Sequence, residues 1–273
     1  MPSIRIDNQE LYYTWSPRAN GPILLFVHGI GSSHSFYSPI IPSLVKKGHS
    51  CLAFDIPGSA LSTYRGRGSD IEAICGAALA LIAVLKLDSR RVIVVGHAMG
   101  TIVASEMALY LNPLGIILIG PMNPSPELAD VFAARGQLVQ KEGMEGVVDV
   151  FLSVETGPRA TATQKAFIRS LLLTQSPAGY SSLCSTITNA QTPRYEEAAC
   201  PLLVIAGSDD NTAPMAGSQA ILDSWGVTAG LKRMQVLQGV GHWHCIEAAD
   251  EVEALVDEFA KGMKSRLNTT MIE

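Results

Sequence analysis

Gly96-His97-Ala98-Met99-Gly100 follows the apolar run of residues 92–95, and its spacing is that of a turn built to expose a nucleophile. A strand that ends in Gly-x-Ser-x-Gly and turns sharply into a helix holds a serine hydroxyl at the top of a sheet, and its glycines tolerate the close packing of the turn. Here the central position is Ala98. A methyl group has no hydroxyl and no proton to give, so it forms no acyl-enzyme. The segment has the geometry for covalent hydrolysis without the atom that performs it.

The elements that must position this turn follow from hydrophobic periodicity. Short apolar runs alternate with longer helical patterns over the first 120 residues, as expected when strands cross over through helices into a mostly parallel sheet. Strands are predicted at residues 11–16, 23–27, 51–54, 92–95 and 116–119, and helices at 36–47, 70–87 and 99–111. The rhythm resumes after residue 200, with strands at 202–206 and 234–237, a helix at 215–225 and a final amphipathic helix at 247–263. Residues 121–200 carry no strand pattern, only helical stretches at 127–140, 144–153, 163–174 and 178–189. A connection of that length has its own packing. The expected organisation is a core of residues 1–120 and 201–273 with a helical cap, residues 121–200, inserted after the sixth strand. Loops at the carboxyl ends of parallel strands carry the site, so an insertion leaving one of those ends covers it.

The segment of residues 92–100 resembles the α/β-hydrolase superfamily, and three further motifs in order extend that resemblance over nearly the whole chain. The implied fold is α/β, a mostly parallel eight-stranded sheet flanked by helices. Val27-His28-Gly29-Ile30-Gly31-Ser32-Ser33 resembles the family's oxyanion loop, which implies that the backbone N–H groups of Ile30 and Met99 face the oxygen that becomes negative when a carbonyl is attacked. His28 in this motif braces the loop. The segment of residues 202–214 resembles the strand and loop that supply the triad acid. Its Gly-x-x-Asp, with proline four residues on, points to Asp210, with Asp209 as the fallback. Gln238-Gly239-Val240-Gly241-His242-Trp243-His244-Cys245 is similar to the family's Gly-His loop and makes His242 the general base. Phe54-Asp55-Ile56-Pro57-Gly58-Ser59 resembles a further family turn, with Ala60 where the next glycine usually stands, in which Asp55 is a turn residue and not a second catalytic acid. The order nucleophile, acid, base at positions 98, 210 and 242 is that of this superfamily.

Within the cap, Leu171-Leu172-Leu173-Thr174-Gln175-Ser176-Pro177-Ala178-Gly179-Tyr180, with Cys184 and Ile187, resembles 3-oxoadipate enol-lactonases and related lactone and ester hydrolases. The resemblance implies a serine hydrolase acting on a small-molecule carboxylic ester, a lactone in preference, with Ala98 an introduced replacement of the serine that leaves this chain inactive or nearly so. The alternative is a natural non-hydrolytic member, either a small-molecule receptor or a His242–Asp210 dyad that abstracts protons as a lyase or cofactor-free oxygenase. The preserved surroundings of Ala98 favour the first. Haloalkane dehalogenation and epoxide hydrolysis need a carboxylate nucleophile at the turn, which Ala98 excludes.

Composition narrows the setting. The 273 residues are enough for a large single core, and the net charge of −5 without a basic run argues against nucleic acid as a partner. The apolar stretches are strand-sized, well short of the roughly 20 residues of a membrane helix, so no membrane association is expected. The first residues lack an apolar signal region, and the five dispersed cysteines suit reduced core thiols, pointing to a cytoplasmic protein. No cofactor is implied, and His242 with His244 lacks the further spacing of a metal site. Monomer and homodimer both remain open.

Overall fold

The computed structural model describes residues 3–6 and 9–270, with side chains through residue 265. Eight strands form one sheet: β1 (Ser3–Ile6), β2 (Gln9–Ser16), β3 (Ile23–Val27), β4 (Ser50–Phe54), β5 (Val92–His97), β6 (Gly115–Ile119), β7 (Leu202–Gly207) and β8 (Lys232–Leu237). Their spatial order is β1-β2-β4-β3-β5-β6-β7-β8. β1 and β2 pair antiparallel, β2 joins β4 antiparallel, and every pairing from β4 to β8 is parallel. The mostly parallel sheet expected from the apolar rhythm is present. The central strands are continuous apolar runs because helices cover both faces, and β3 to β7 are buried at every residue. β1, with its half-exposed alternating pattern, is the strand that periodicity did not identify.

The core helices are α1 (Ile41–Lys46), α2 (Ile71–Val84) and α3 (Met99–Tyr110). The helix expected at residues 36–47 is instead a 3-10 turn, His34–Tyr37, followed by α1. Pro42, in the first turn of α1, lacks the N–H that a continuous helix would need there. Between β6 and β7 lie only helices: α4 (Pro126–Glu155), α5 (Ala162–Leu173) and α6 (Pro177–Thr188), apart from a short 3-10 turn at Tyr195–Glu197. α4 combines the two stretches read separately from the sequence, and Gly143, at φ 71°, breaks its helical path between them. Ser125, Thr161 and Ser176 cap these three helices through their hydroxyls, which accept backbone N–H groups of the first turn.

After β7 come α7 (Met215–Ser224), the short α8 (His244–Glu247) and α9 (Ala249–Thr270). The final helix thus begins two residues later than periodicity suggested, and α8 precedes it. All five cysteines are buried and unpaired. Among the described residues no helix is long and apolar enough to cross a membrane.

Candidate active site

β5 delivers the turn at residues 96–100 to the carboxyl end of the sheet, between β3 and β6. The spacing of its glycines has a direct steric cause. A Cβ on Gly96 would lie 2.3 Å from the Gly100 carbonyl oxygen, and one on Gly100 would lie 2.1 Å from the Val27 carbonyl oxygen. Backbone is packed on backbone, and only glycine leaves the room. At the apex Ala98 has φ 50° and ψ −120°, a conformation that strains an L-residue. It is held there because its N–H donates to the Ile119 carbonyl over 3.1 Å while its own carbonyl accepts from the Thr101 N–H and hydroxyl, the latter at 2.6 Å. The Ala98 methyl is 1% exposed.

The loop after β3 lies against this turn. His28 Nε2 accepts the Ile56 N–H at 3.1 Å, so the proton sits on Nδ1, which donates to the Gly29 carbonyl at 2.7 Å. Burial lowers the pKa of His28 and keeps it neutral. The bond from Ile56 fastens the loop to the β4 turn, and the bond to Gly29 fixes the ring within its own loop. Asp55 belongs to that turn: it accepts the His34 N–H and faces the His34 ring, both at 2.7 Å, and it accepts the Leu61 N–H. Among the described residues the N–H groups of Ile30 and Met99 have no acceptor in the chain. From α5 and α6, Leu172 and Tyr180 close over Gly31, at 2.8 Å and 3.1 Å from where its Cβ would stand.

The loop after β7 places Asp210 beside His242. Asp210 Oδ1 accepts the N–H groups of Thr212 and Ala213 at 2.9 and 2.8 Å, and Oδ2 accepts His242 Nδ1–H at 2.9 Å. Asp209 instead takes the Ser208 hydroxyl at 2.6 Å and makes no bond to the histidine. Burial pushes the Asp210 carboxyl up, but His242 beside it, with help from His244 and the Ala213 N–H, holds it down at about 2. Burial opposes charge on His242 as well, yet the Asp210 carboxylate outweighs it and raises the imidazole above its ordinary value.

His242 is one of three clustered imidazoles. Its carbonyl accepts both His97 Nε2–H at 2.8 Å and His244 Nδ1–H at 2.9 Å, and the His97 ring centroid is 4.9 Å from that of His242. Burial depresses His97 far below the ordinary histidine value and His244 to about 4. A proton arriving at the cluster therefore goes to His242, whose Nε2 has no partner among the described residues.

Residues that motif reading did not single out hold the histidine loop. Glu247 Oε2 accepts the Gly241 and Gly157 N–H groups at 3.0 and 2.8 Å, and its Oε1 accepts the Trp243 N–H at 3.0 Å. Glu155, at the end of α4, accepts the His242 N–H at its carbonyl. A buried glutamate within a helical segment leaves no local mark of such a role. Among the described residues no group of three or more His, Cys, Asp or Glu is arranged to hold a metal ion.

Comparison with known proteins agrees with this architecture. The chain is 27% identical over 258 residues to a non-heme chloroperoxidase of Burkholderia pyrrocinia, covering 85% of this chain and 86% of that one. It is 22% identical over 226 residues to 3-oxoadipate enol-lactonase 2 of Acinetobacter baylyi, covering 81% and 84%. The crystal structure of the enol-lactonase from Burkholderia xenovorans LB400 superposes with a TM-score of 0.83 at 25% identity, over 94% of this chain and 99% of that one. The sequence profile of the Alpha/beta hydrolase family matches residues 24–255. With that match spanning most of the chain and the sheet order of this fold in place, the protein belongs to the Alpha/beta hydrolase family.

Proposed function

We propose that the site is one for hydrolysis of a small carboxylic ester, lactones in preference, framed as a Ser-His-Asp triad in which this chain carries Ala98 at the nucleophile position. The observation that supports it most is the 2.9 Å pairing of buried His242 with buried Asp210, at the same end of the sheet as a turn still held in the strained conformation of a nucleophile. The likeness to enol-lactonases supports the preference for lactones. Residues 121–200 act as the lid, with Leu172 and Tyr180 over the loop of Gly31.

In this reading a serine at position 98 passes its proton to His242 Nε2 and attacks the carbonyl carbon. The oxyanion is received by the Ile30 and Met99 N–H groups, which need no reorganisation because they are fixed by the loop and by the start of α3. Asp210 keeps the proton of neutral His242 on Nδ1 and stabilises the imidazolium that forms. Water activated by His242 then releases the acid; from a lactone the alcohol stays tethered and a single hydroxy acid leaves. With Ala98 the ligand is held and no acyl-enzyme forms. A reducing intracellular setting is part of the proposal, supported by five buried, unpaired cysteines.

Ala98→Ser tests it. Against p-nitrophenyl esters and five- and six-membered lactones, the serine variant is expected to turn over on the order of a million-fold faster than the Ala98 chain, with an acid limb set by a histidine. An inert Ala98→Ser protein, alongside an Ala98 chain that converts a substrate without an ester, would overturn the triad in favour of the dyad acting alone.

A further inference from the structure

His242 is held from the inserted helices as well as from the sheet. Its N–H donates to the Glu155 carbonyl over 2.7 Å, and the indole Nε1–H of Trp243 donates to Glu155 Oε2 at 3.1 Å. Glu155 is 3% exposed, and its Oε1 accepts Arg135 Nη1–H at 2.6 Å. Arg135 comes from the other side of the Gly143 break in α4; its guanidinium lies 4.4 Å from the Phe151 ring centroid, 5.0 Å from that of Phe132, and 3.4 Å from the Tyr180 hydroxyl. A carboxylate and a guanidinium, both withdrawn from water, thus stand behind the histidine loop on a segment outside the sheet.

We propose that Glu155 is a positioning residue for His242: its main chain and carboxylate tie the histidine loop to α4, and its buried pair with Arg135 places opposed charges behind that loop. The proposal rests on His242 being the base of the site. Burying an ion pair is costly, and removing one partner leaves the other charge buried and unpaired. Glu155 raises the proton affinity of His242 and Arg135 lowers it, each less than Asp210 does. The other charged or titratable groups around the imidazole are Asp210 from the loop after β7, His97 at the end of β5, and His244 and Glu247 on α8; Tyr180 of α6 acts through Arg135.

The test is a pH titration of the imidazole resonances in protein carrying ¹⁵N-labelled histidine, assigned by loss of the His242 signals in His242→Gln. Glu155→Gln keeps the shape of the side chain, removes the charge and leaves Arg135 unopposed; the His242 midpoint is expected to fall by about half a unit to one unit. Glu155→Asp, which restores the charge, is expected to recover most of that fall. The double variant Glu155→Gln with Arg135→Met carries no unpaired buried charge and is expected to titrate between the unsubstituted chain and Glu155→Gln, so the comparison survives if the single variant folds poorly. A purely structural clamp predicts the same midpoint in every folded variant. A midpoint that stays put or rises in Glu155→Gln, or in the double variant, overturns the proposal. The titration needs no turnover, so its outcome is independent of whether Ala98→Ser hydrolyses esters.

Discussion

At Asp210, burial and pairing pull in opposite directions, and the sum makes the residue a source of pH-dependent stability. Its carboxyl drops from 3.8 to about 2, so its contribution is present above pH 4 and is lost as pH falls toward 2. His242 is raised, so its contribution is present below about pH 6.5 and is lost as pH rises through the folded value. The pair is therefore fully effective in the window between roughly pH 4 and 6.5. Asp210→Asn is expected to flatten both edges of a plot of thermal midpoint against pH and to lower the His242 midpoint; an unchanged profile would show that the pair does not titrate as a unit. Motif spacing pointed to Asp210 ahead of Asp209, and the carboxylate that meets His242 is that of Asp210. The preference has a local basis, since Asp210 sits where the Thr212 and Ala213 N–H groups converge while Asp209 turns to Ser208.

Among the elements, the passage from β5 to α3 has the least tolerance. Gly100→Ala would press a methyl onto the Val27 and His28 carbonyl groups, and backbone cannot swing aside as a flexible side chain would. A loss of about 3 kcal/mol is expected in denaturant unfolding. Gly76 gives the opposite result, since within α2 its Cβ would meet nothing within 4 Å. Gly76→Ala is expected to stabilise by about 0.5–1 kcal/mol through helix propensity, and equal effects at the two sites would contradict the steric account. The same contrast explains what periodicity made legible. β3, β5, β6 and β7 are apolar at nearly every position because both faces are covered, and they stood out in the sequence. The 3-10 turn at His34–Tyr37 and the division between α8 and α9 did not, because the Ser33 cap and Pro42 break a pattern that otherwise reads as one helix, and α8 is only four residues long.

Across the whole molecule, the helical segment between β6 and β7 is tied to the sheet and its loops by hydrogen bonds at Glu155, Gly157, Arg159, Gln164 and Thr186 among others, and Gln175 makes two more. From the junction of α5 and α6 its amide donates to the Ser32 carbonyl at 3.0 Å and its oxygen accepts the Ala60 N–H at 3.3 Å, joining these helices to the loops after β3 and β4. Gln175→Ala is expected to cost about 1–2 kcal/mol and to speed amide exchange in residues 162–188 while β3, β5 and β6 stay protected; uniform loosening of the sheet would place the fastening elsewhere. The sequence by itself determined the α/β class, the position of the strained turn, the absence of a hydroxyl at Ala98 and the segment without strands, since each depends on local periodicity or on residue type at short spacing. The tertiary structure alone decided that Glu155 and Arg135 stand behind His242, that His97 and His244 share its carbonyl, and that Leu172 and Tyr180 cover Gly31. Trp243 and Glu155 are 88 residues apart in the chain, and His97 and His242 are 145 apart. Hydrogen bonds across such separations leave no periodic trace, because they depend on which surfaces burial brings together and not on the order in which the residues are joined.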